Sequence, residues 1–170
     1  MTAPGRGAEV GGPTRVLFVC LGNICRSPAA EAVMAGLVAQ AGLGIEIEVD
    51  SAGTAGYHVG DLPDHRTLRE AQRRGWPVDH RGRTLTLGDF EHFDLVLGMD
   101  HSNMAELRSL SPERHLHKLR LLAEFDPSAP AGTEVPDPYH GDEADFAHVF
   151  DLCEAACAGL LEHLACRRAR

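Results

Sequence analysis

The chain has 170 residues, 44% of them apolar and 24% charged, with a net charge of −9. That size and balance fit one domain around a sizeable core, and the negative charge argues against nucleic acid as a partner. No run approaches the ~20 apolar residues needed to span a membrane, so no membrane association is expected.

Met1 to Pro13 is rich in glycine and proline and lacks the apolar core of a signal peptide. Residues 1–13 are therefore expected to be a disordered tail and residues 14–166 the folded domain. Val16 to Val19 predicts a short buried strand. Ser27-Pro28 predicts a helix start, with the serine capping the first turn and the proline where an N–H lacks a partner anyway. Val33, Met34, Leu37 and Val38 carry that helix to Ala41, and Gly42 stops it. Ile45 to Asp50 alternates apolar and acidic residues, which predicts an edge strand with one wet face. Ser51 to Thr54 follows at its carboxyl end, where ligands sit in open α/β sheets.

Residues 55–63 are expected to be a loop containing Tyr57, and Asp64 to Arg74 a helix that Gly75 and Pro77 end. Phe93 to Gly98 predicts the next buried strand. Asp100 then caps a helix running to Leu110, stopped by Ser111-Pro112. Leu116 to Leu121 predicts the fourth strand, and residues 126–141 a loop rich in proline, alanine and glycine. The last helix begins near Asp142, with one apolar stripe through Phe146, Val149, Phe150, Cys153, Cys157, Leu160, Leu161 and Leu164. Strands alternating with helices imply a single-domain α/β fold, a parallel sheet covered on both faces.

The chemistry gathers between the first strand and the first helix, in Cys20-Leu-Gly-Asn-Ile-Cys-Arg26. A loop of that size closing onto a helix N-terminus points the N–H groups of Leu21, Gly22, Asn23, Ile24, Cys25 and Arg26 into its own centre, a nest for an anion. Arg26 can add a two-pronged contact to phosphate oxygens that a lysine could not match. Cys20 stands at the loop mouth, where the same positive field favours a thiolate. Gly22 suits tight backbone, and Asn23 tolerates a left-handed conformation.

The run Val-Cys-Leu-Gly-Asn-Ile-Cys-Arg-Ser-Pro from Val19 to Pro28 resembles the signature of the low-molecular-weight protein tyrosine phosphatases, and Asp137-Pro138-Tyr139 resembles their general-acid loop. The resemblance extends over about residues 14 to 165. It implies the strand order 2-1-3-4, and hydrolysis of phosphotyrosine in proteins and of small aryl phosphates through a cysteinyl-phosphate. Inorganic phosphate is then the product, and no cofactor or metal is required. Cys20 would be the nucleophile, Arg26 the phosphate clamp and Asp137 the acid. The similarity also gives the Ser27 hydroxyl a hydrogen bond to the Cys20 sulfur, and has Ser51 and His80 hold Asn23. Tyr57 and Tyr139 would flank the cleft as aromatic walls. Asp100 either supports Arg26 or only caps its helix. Many relatives carry a second tyrosine where this chain has His140, so phosphorylation at that position is not available here.

Five cysteines, an odd count without an export signal, point to free thiols in a reducing, cytoplasmic compartment. Cys25, inside the loop, could trap an oxidised Cys20 as a disulfide, whereas Cys153 and Cys157 belong to the core and Cys166 lies off the stripe. A thiol-dependent arsenate reductase on the same fold would need a further cysteine pair in mid-chain, and none occurs between Cys25 and Cys153. An inactive phosphate-binding module would have lost Cys20, Arg26 or Asp137, and all three are present.

Overall fold

In the computed structural model, which describes residues 11–170, four strands and five α-helices alternate along the chain. They are β1 (Thr14–Cys20), α1 (Arg26–Gln40), β2 (Ile47–Gly53), α2 (His65–Arg74), α3 (Leu87–His92), β3 (Leu95–Gly98), α4 (His101–Leu110), β4 (Leu119–Leu121) and α5 (Glu143–Arg168). Short 3₁₀ turns at Glu113–Lys118 and Leu122–Phe125 bracket β4. Most of the expected tail, residues 1–10, lies outside the described residues.

All the strand pairs are parallel and the sheet order is β2-β1-β3-β4, as the sequence similarity implied. β1 is central: Val16 lies level with Val49 on one side and Leu95 on the other. Because side chains alternate along a strand, β1 feeds two cores. Val16, Phe18 and Cys20 pack with α1 and α5, while Leu17 and Val19 pack with Phe90, Met104 and Leu107 from α3 and α4. The apolar stripe of α5 supplies Val149, Phe150, Cys153, Cys157, Leu160 and Leu164 to the first core, with Leu161 at its margin. Phe146 instead packs with Ile24 and Cys25 of the loop. The C-terminal ends of β1 and β2 and the N-terminus of α1 meet at one edge, and the site is built there.

Several boundaries differ from the sequence expectation. Helix α1 begins at Arg26, one residue before the predicted cap, so Ser27 is a helical residue and Cys25 holds the cap position without a side-chain bond. β2 runs from Ile47 to Gly53 rather than from Ile45 to Asp50. The Leu43 carbonyl accepts from both Glu46 and Ile47, which keeps Ile45 in a turn and 87% exposed. Pairing of Cys20 with Gly53 carries the strand three residues further, so Ser51 lies inside it. β3 starts only at Leu95 because Phe93 ends α3, a helix without a sequence expectation. Residues 116–118 belong to a 3₁₀ turn, leaving β4 three residues long.

Candidate active site

The loop from Cys20 to Arg26 is held from outside by its carbonyls. Thr54 and Ala55 donate to the carbonyls of Cys20 and Leu21 at 2.9 and 3.0 Å, and Asp64, at the start of α2, donates to that of Ile24 at 2.8 Å. Ala29 takes the Cys25 carbonyl at 3.3 Å. Among the described residues, by contrast, the N–H groups of Gly22, Asn23, Ile24 and Cys25 donate to no protein acceptor. Asn23, Ile24 and Cys25 are buried, and buried donors without partners are costly. A loop whose carbonyls are tied back and whose N–H groups are free is built to receive an anion.

Asn23 fixes the loop's shape. Its φ of 58° is the one left-handed non-glycine conformation among the described residues, and its amide is fully used. Nδ2 donates to Ser27 Oγ at 2.8 Å and to Ser51 Oγ at 3.0 Å. Oδ1 accepts from His80 Nε2 at 2.7 Å and from the Arg83 backbone at 3.0 Å. Four bonds hold one strained residue. Gly53 passes so close beneath that a Cβ there would sit 2.8 Å from the Leu21 carbonyl and 3.2 Å from Asn23 Cβ.

Cys20 Sγ lies 3.0 Å from Ser27 Oγ, so the Ser27 hydroxyl serves the sulfur and Asn23 rather than the helix cap. Arg26, 2% exposed, reaches back through Nη1 to Asp100 Oδ2 at 2.6 Å and to the Val135 carbonyl at 3.0 Å. Burial opposes its charge, but the Asp100 carboxylate, with Cys20 and Asp137 nearby, outweighs this and raises its pKa. Asp100 also accepts from Asn103 N at 2.7 Å, so it caps α4 and braces Arg26 at once. Asp137 Oδ2 stands 3.8 Å from Arg26 Nη2, and its Oδ1 accepts from Tyr139 N at 3.1 Å.

These groups share a cleft of about 260 Å³ lined by Cys20, Leu21, Gly22, Ile24, Cys25, Arg26, Tyr57, His58, Asp137, Tyr139 and His140. Tyr57, largely exposed, and Tyr139, about half-buried, are among its lining residues. Ser51 and His80, hydrogen-bonded to Asn23, and Asp100, hydrogen-bonded to Arg26, sit outside it. Arg83, Val135, His58, Glu31 and Asp50 have no sequence signal. Arg83 and Val135 act through the backbone, and Glu31 and Asp50 lie far along the chain from the His80 they face.

All five cysteines are free. Burial, then the charges of Asp64 and Cys20, push the Cys25 thiol up to about 12. Cys153 and Cys157 are sealed in the core, and this burial pushes the Cys153 thiol up to about 12 and the Cys157 thiol well above its usual range, whereas Cys166 is exposed.

Residues 15–170 match the family model described as low molecular weight phosphotyrosine protein phosphatase. The low molecular weight protein-tyrosine-phosphatase of Streptomyces coelicolor is 46% identical over 149 residues, which cover 86% of this chain and 91% of that one. The human low molecular weight phosphotyrosine protein phosphatase is 43% identical over 149 residues, covering 86% of this chain and 93% of the human protein. Among solved structures, the protein tyrosine phosphatase of Entamoeba histolytica, with Hepes in its active site, superposes with a TM-score of 0.87 at 41% identity, covering 91% of this chain and 99% of that one.

Proposed function

The chain belongs to the low molecular weight phosphotyrosine protein phosphatase family, and we propose that within it Cys20 is the nucleophile, Arg26 the phosphate clamp and Asp137 the general acid. It is a protein-tyrosine phosphatase, a hydrolase of phosphoric monoesters. The reading of its residues rests on one observation: the Cys20 thiol, the Arg26 guanidinium and the Asp137 carboxyl line the same cleft, the last two 3.8 Å apart.

The phosphate dianion enters the ring of free N–H groups and takes the outward edge of Arg26, whose Nη1 is committed to Asp100 and Val135. The Cys20 thiolate attacks phosphorus in line. The bond to the tyrosyl oxygen breaks as Asp137 gives that oxygen its proton, leaving a cysteinyl-phosphate and a neutral phenol. In the second step Asp137, now a carboxylate, takes a proton from water. The water oxygen bonds to phosphorus, and the sulfur departs as a thiolate accepting from Ser27, 3.0 Å away. Charge on the transferring group is met throughout by fixed donors that need no rearrangement. Tyr57 and Tyr139 form aromatic walls for a phenyl ring.

Phosphotyrosine proteins are the proposed substrates and inorganic phosphate the product, and the mechanism uses no cofactor. A reducing, cytoplasmic setting is supported by the five free thiols; among the described residues no helix is long and apolar enough to cross a membrane.

Acid quench during turnover of an aryl phosphate, followed by peptide mapping, tests the assignment. A phosphate adduct on the Cys20 peptide is expected. Cys20→Ser should lose turnover and the adduct while still binding inorganic phosphate. Steady-state turnover by that variant, or an adduct on another residue, would contradict it.

A further inference from the structure

We propose that Glu31, Asp50 and His80 form a binding site for a divalent transition-metal ion such as Zn²⁺, outside the catalytic cleft and joined to it through Asn23. Asn23 Oδ1 accepts from the Arg83 backbone N–H at 3.0 Å, which settles which end of that amide is the oxygen. An amide oxygen cannot donate, so His80 Nε2, 2.7 Å away, must carry the hydrogen between them. That leaves Nδ1 as the open position of the ring. It faces Glu31 Oε2 at 3.2 Å and Asp50 Oδ1 at 3.9 Å, on a side chain only 6% exposed.

An unprotonated Nδ1 would present its lone pair to two carboxylate oxygens, with no hydrogen among the three. A cation between them resolves this, either a proton or a metal ion. One ligand atom from each residue lies within 4.8 Å of the other two. Ligands at ~2.0–2.2 Å around a tetrahedral zinc stand about 3.4 Å apart, so the two distances to Nδ1 already lie within about half an ångström of such an edge. The bond from His80 Nε2 to Asn23 is the outer hydrogen bond that a metal-bound imidazole ordinarily makes.

Both carboxylates are already oriented by Ser51, whose hydroxyl donates to Glu31 Oε2 at 3.0 Å and whose N–H donates to Asp50 Oδ1 at 2.8 Å. The Glu31 and Asp50 side chains are 15% and 35% exposed, so the cluster is in contact with solvent. Arg83 is the competing positive charge, but it contacts the other oxygen of Asp50, at 3.0 Å, and is also held by both oxygens of Asp89. One imidazole with two carboxylates suits zinc better than magnesium or calcium, which prefer oxygen alone, or copper(I), which prefers sulfur. A bound ion would fix the ring that holds Asn23, so its expected effect is to stiffen the anion loop from behind.

Calorimetric titration with Zn²⁺ tests the site in a Cys20→Ser, Cys166→Ser background, which removes the nucleophilic and the exposed thiols as rival ligands. One equivalent should bind. Adding Glu31→Gln or Asp50→Asn should weaken binding by more than ~10-fold, since even outer partners of a metal site contribute 10–100-fold. Crystals of the same background soaked in Zn²⁺ should give an anomalous peak at the zinc edge, bonded to His80 Nδ1. Absence of binding, affinity unchanged by both substitutions, or a peak elsewhere would overturn the proposal.

Discussion

Asn23 holds a left-handed backbone at φ 58° because four hydrogen bonds over-determine it. Asn23→Ala and Asn23→Gly both lose those bonds, but only alanine also bears the left-handed strain of roughly 1–2 kcal/mol. Asn23→Gly should therefore be the more stable variant by about 1 kcal/mol in urea unfolding; equal stabilities would mean the loop relaxes out of that conformation. Arg26 has one nitrogen committed to Asp100 and Val135 and the other turned toward Asp137. Lysine supplies a point charge without that fork, so Arg26→Lys should lose nearly as much kcat/KM as Arg26→Ala, and near-normal activity would show that charge alone suffices. Cys25 concerns oxidation. Peroxide on Cys20 gives a sulfenic acid, and the Cys25 thiolate closes the disulfide by displacing hydroxide. With its thiol pushed up to about 12, Cys25 is protonated near neutral pH. Disulfide closure should thus be slow and speed up about tenfold per pH unit until that value is approached. Dimedone trapping of the Cys20 sulfenic acid at two pH values measures this, and a trapping yield independent of pH would contradict it.

Helix α2 illustrates how one element carries both scaffold and site. Its N-cap, Asp64, ties down the loop by donating to the Ile24 carbonyl, while Arg74 at its end reaches the Ala147 carbonyl and Asp151 of α5. Glu70 sits between Arg73 and Arg74, at 2.5 and 2.6 Å, and its side chain is 11% exposed. Hydrogen bonds from Arg73 and then Arg74 hold its carboxyl down to about 2, below an ordinary glutamate near ~4.3. The folded-state value is depressed, so the contribution is present above ~4.3 and is lost as pH falls through about 2. Glu70→Gln should cost about 1 kcal/mol near neutral pH, and the difference from wild type should close across that window in urea unfolding. A gap constant with pH would assign the loss to packing instead. The elements legible in the sequence are those with local signals: the helix starts at Asp64 and Asp142, the Asp100 cap, the Gly75 stop and the α5 stripe. Helix α3 has no stripe, only six residues and the Thr86-to-Asp89 spacing of a capping box, where Asp89 does accept from Thr86 N at 2.8 Å. β2 was misplaced because its end is set by pairing with Cys20, which alternation cannot reveal. The local pattern at Ser27 shows only a cap; its bond to Cys20 is legible through the family resemblance, and the pull of Asn23 on the same hydroxyl is tertiary and has no local signal.

At the scale of the molecule, the site joins parts of the chain more than a hundred residues apart: the loop after β1 and the segment before α5. The Val135 carbonyl on Arg26 and the Met99 carbonyl on Val135 N, at 3.0 and 2.8 Å, anchor that late segment beside the cradle. The motif residues themselves could be read from sequence, whereas this bracing could not, since it uses backbone atoms that any residue supplies. This packing places the proposed nucleophile, Cys20, and the proposed acid, Asp137, in one cleft, at the two ends of a phosphoryl transfer. A phenol like tyrosine titrates near ~10 and leaves poorly unless protonated as it goes, and general acids contribute about 10²–10⁴-fold. A nitrophenol needs less help. Single-turnover formation of the phosphoenzyme by Asp137→Asn, with phenyl phosphate and with nitrophenyl phosphate, isolates that step from later hydrolysis, for which Asp137 is the proposed base. With Asp137 as the acid, the loss falls within that range for phenyl phosphate and is much smaller for nitrophenyl phosphate; equal losses with both leaving groups would show that Asp137 does not protonate the leaving oxygen.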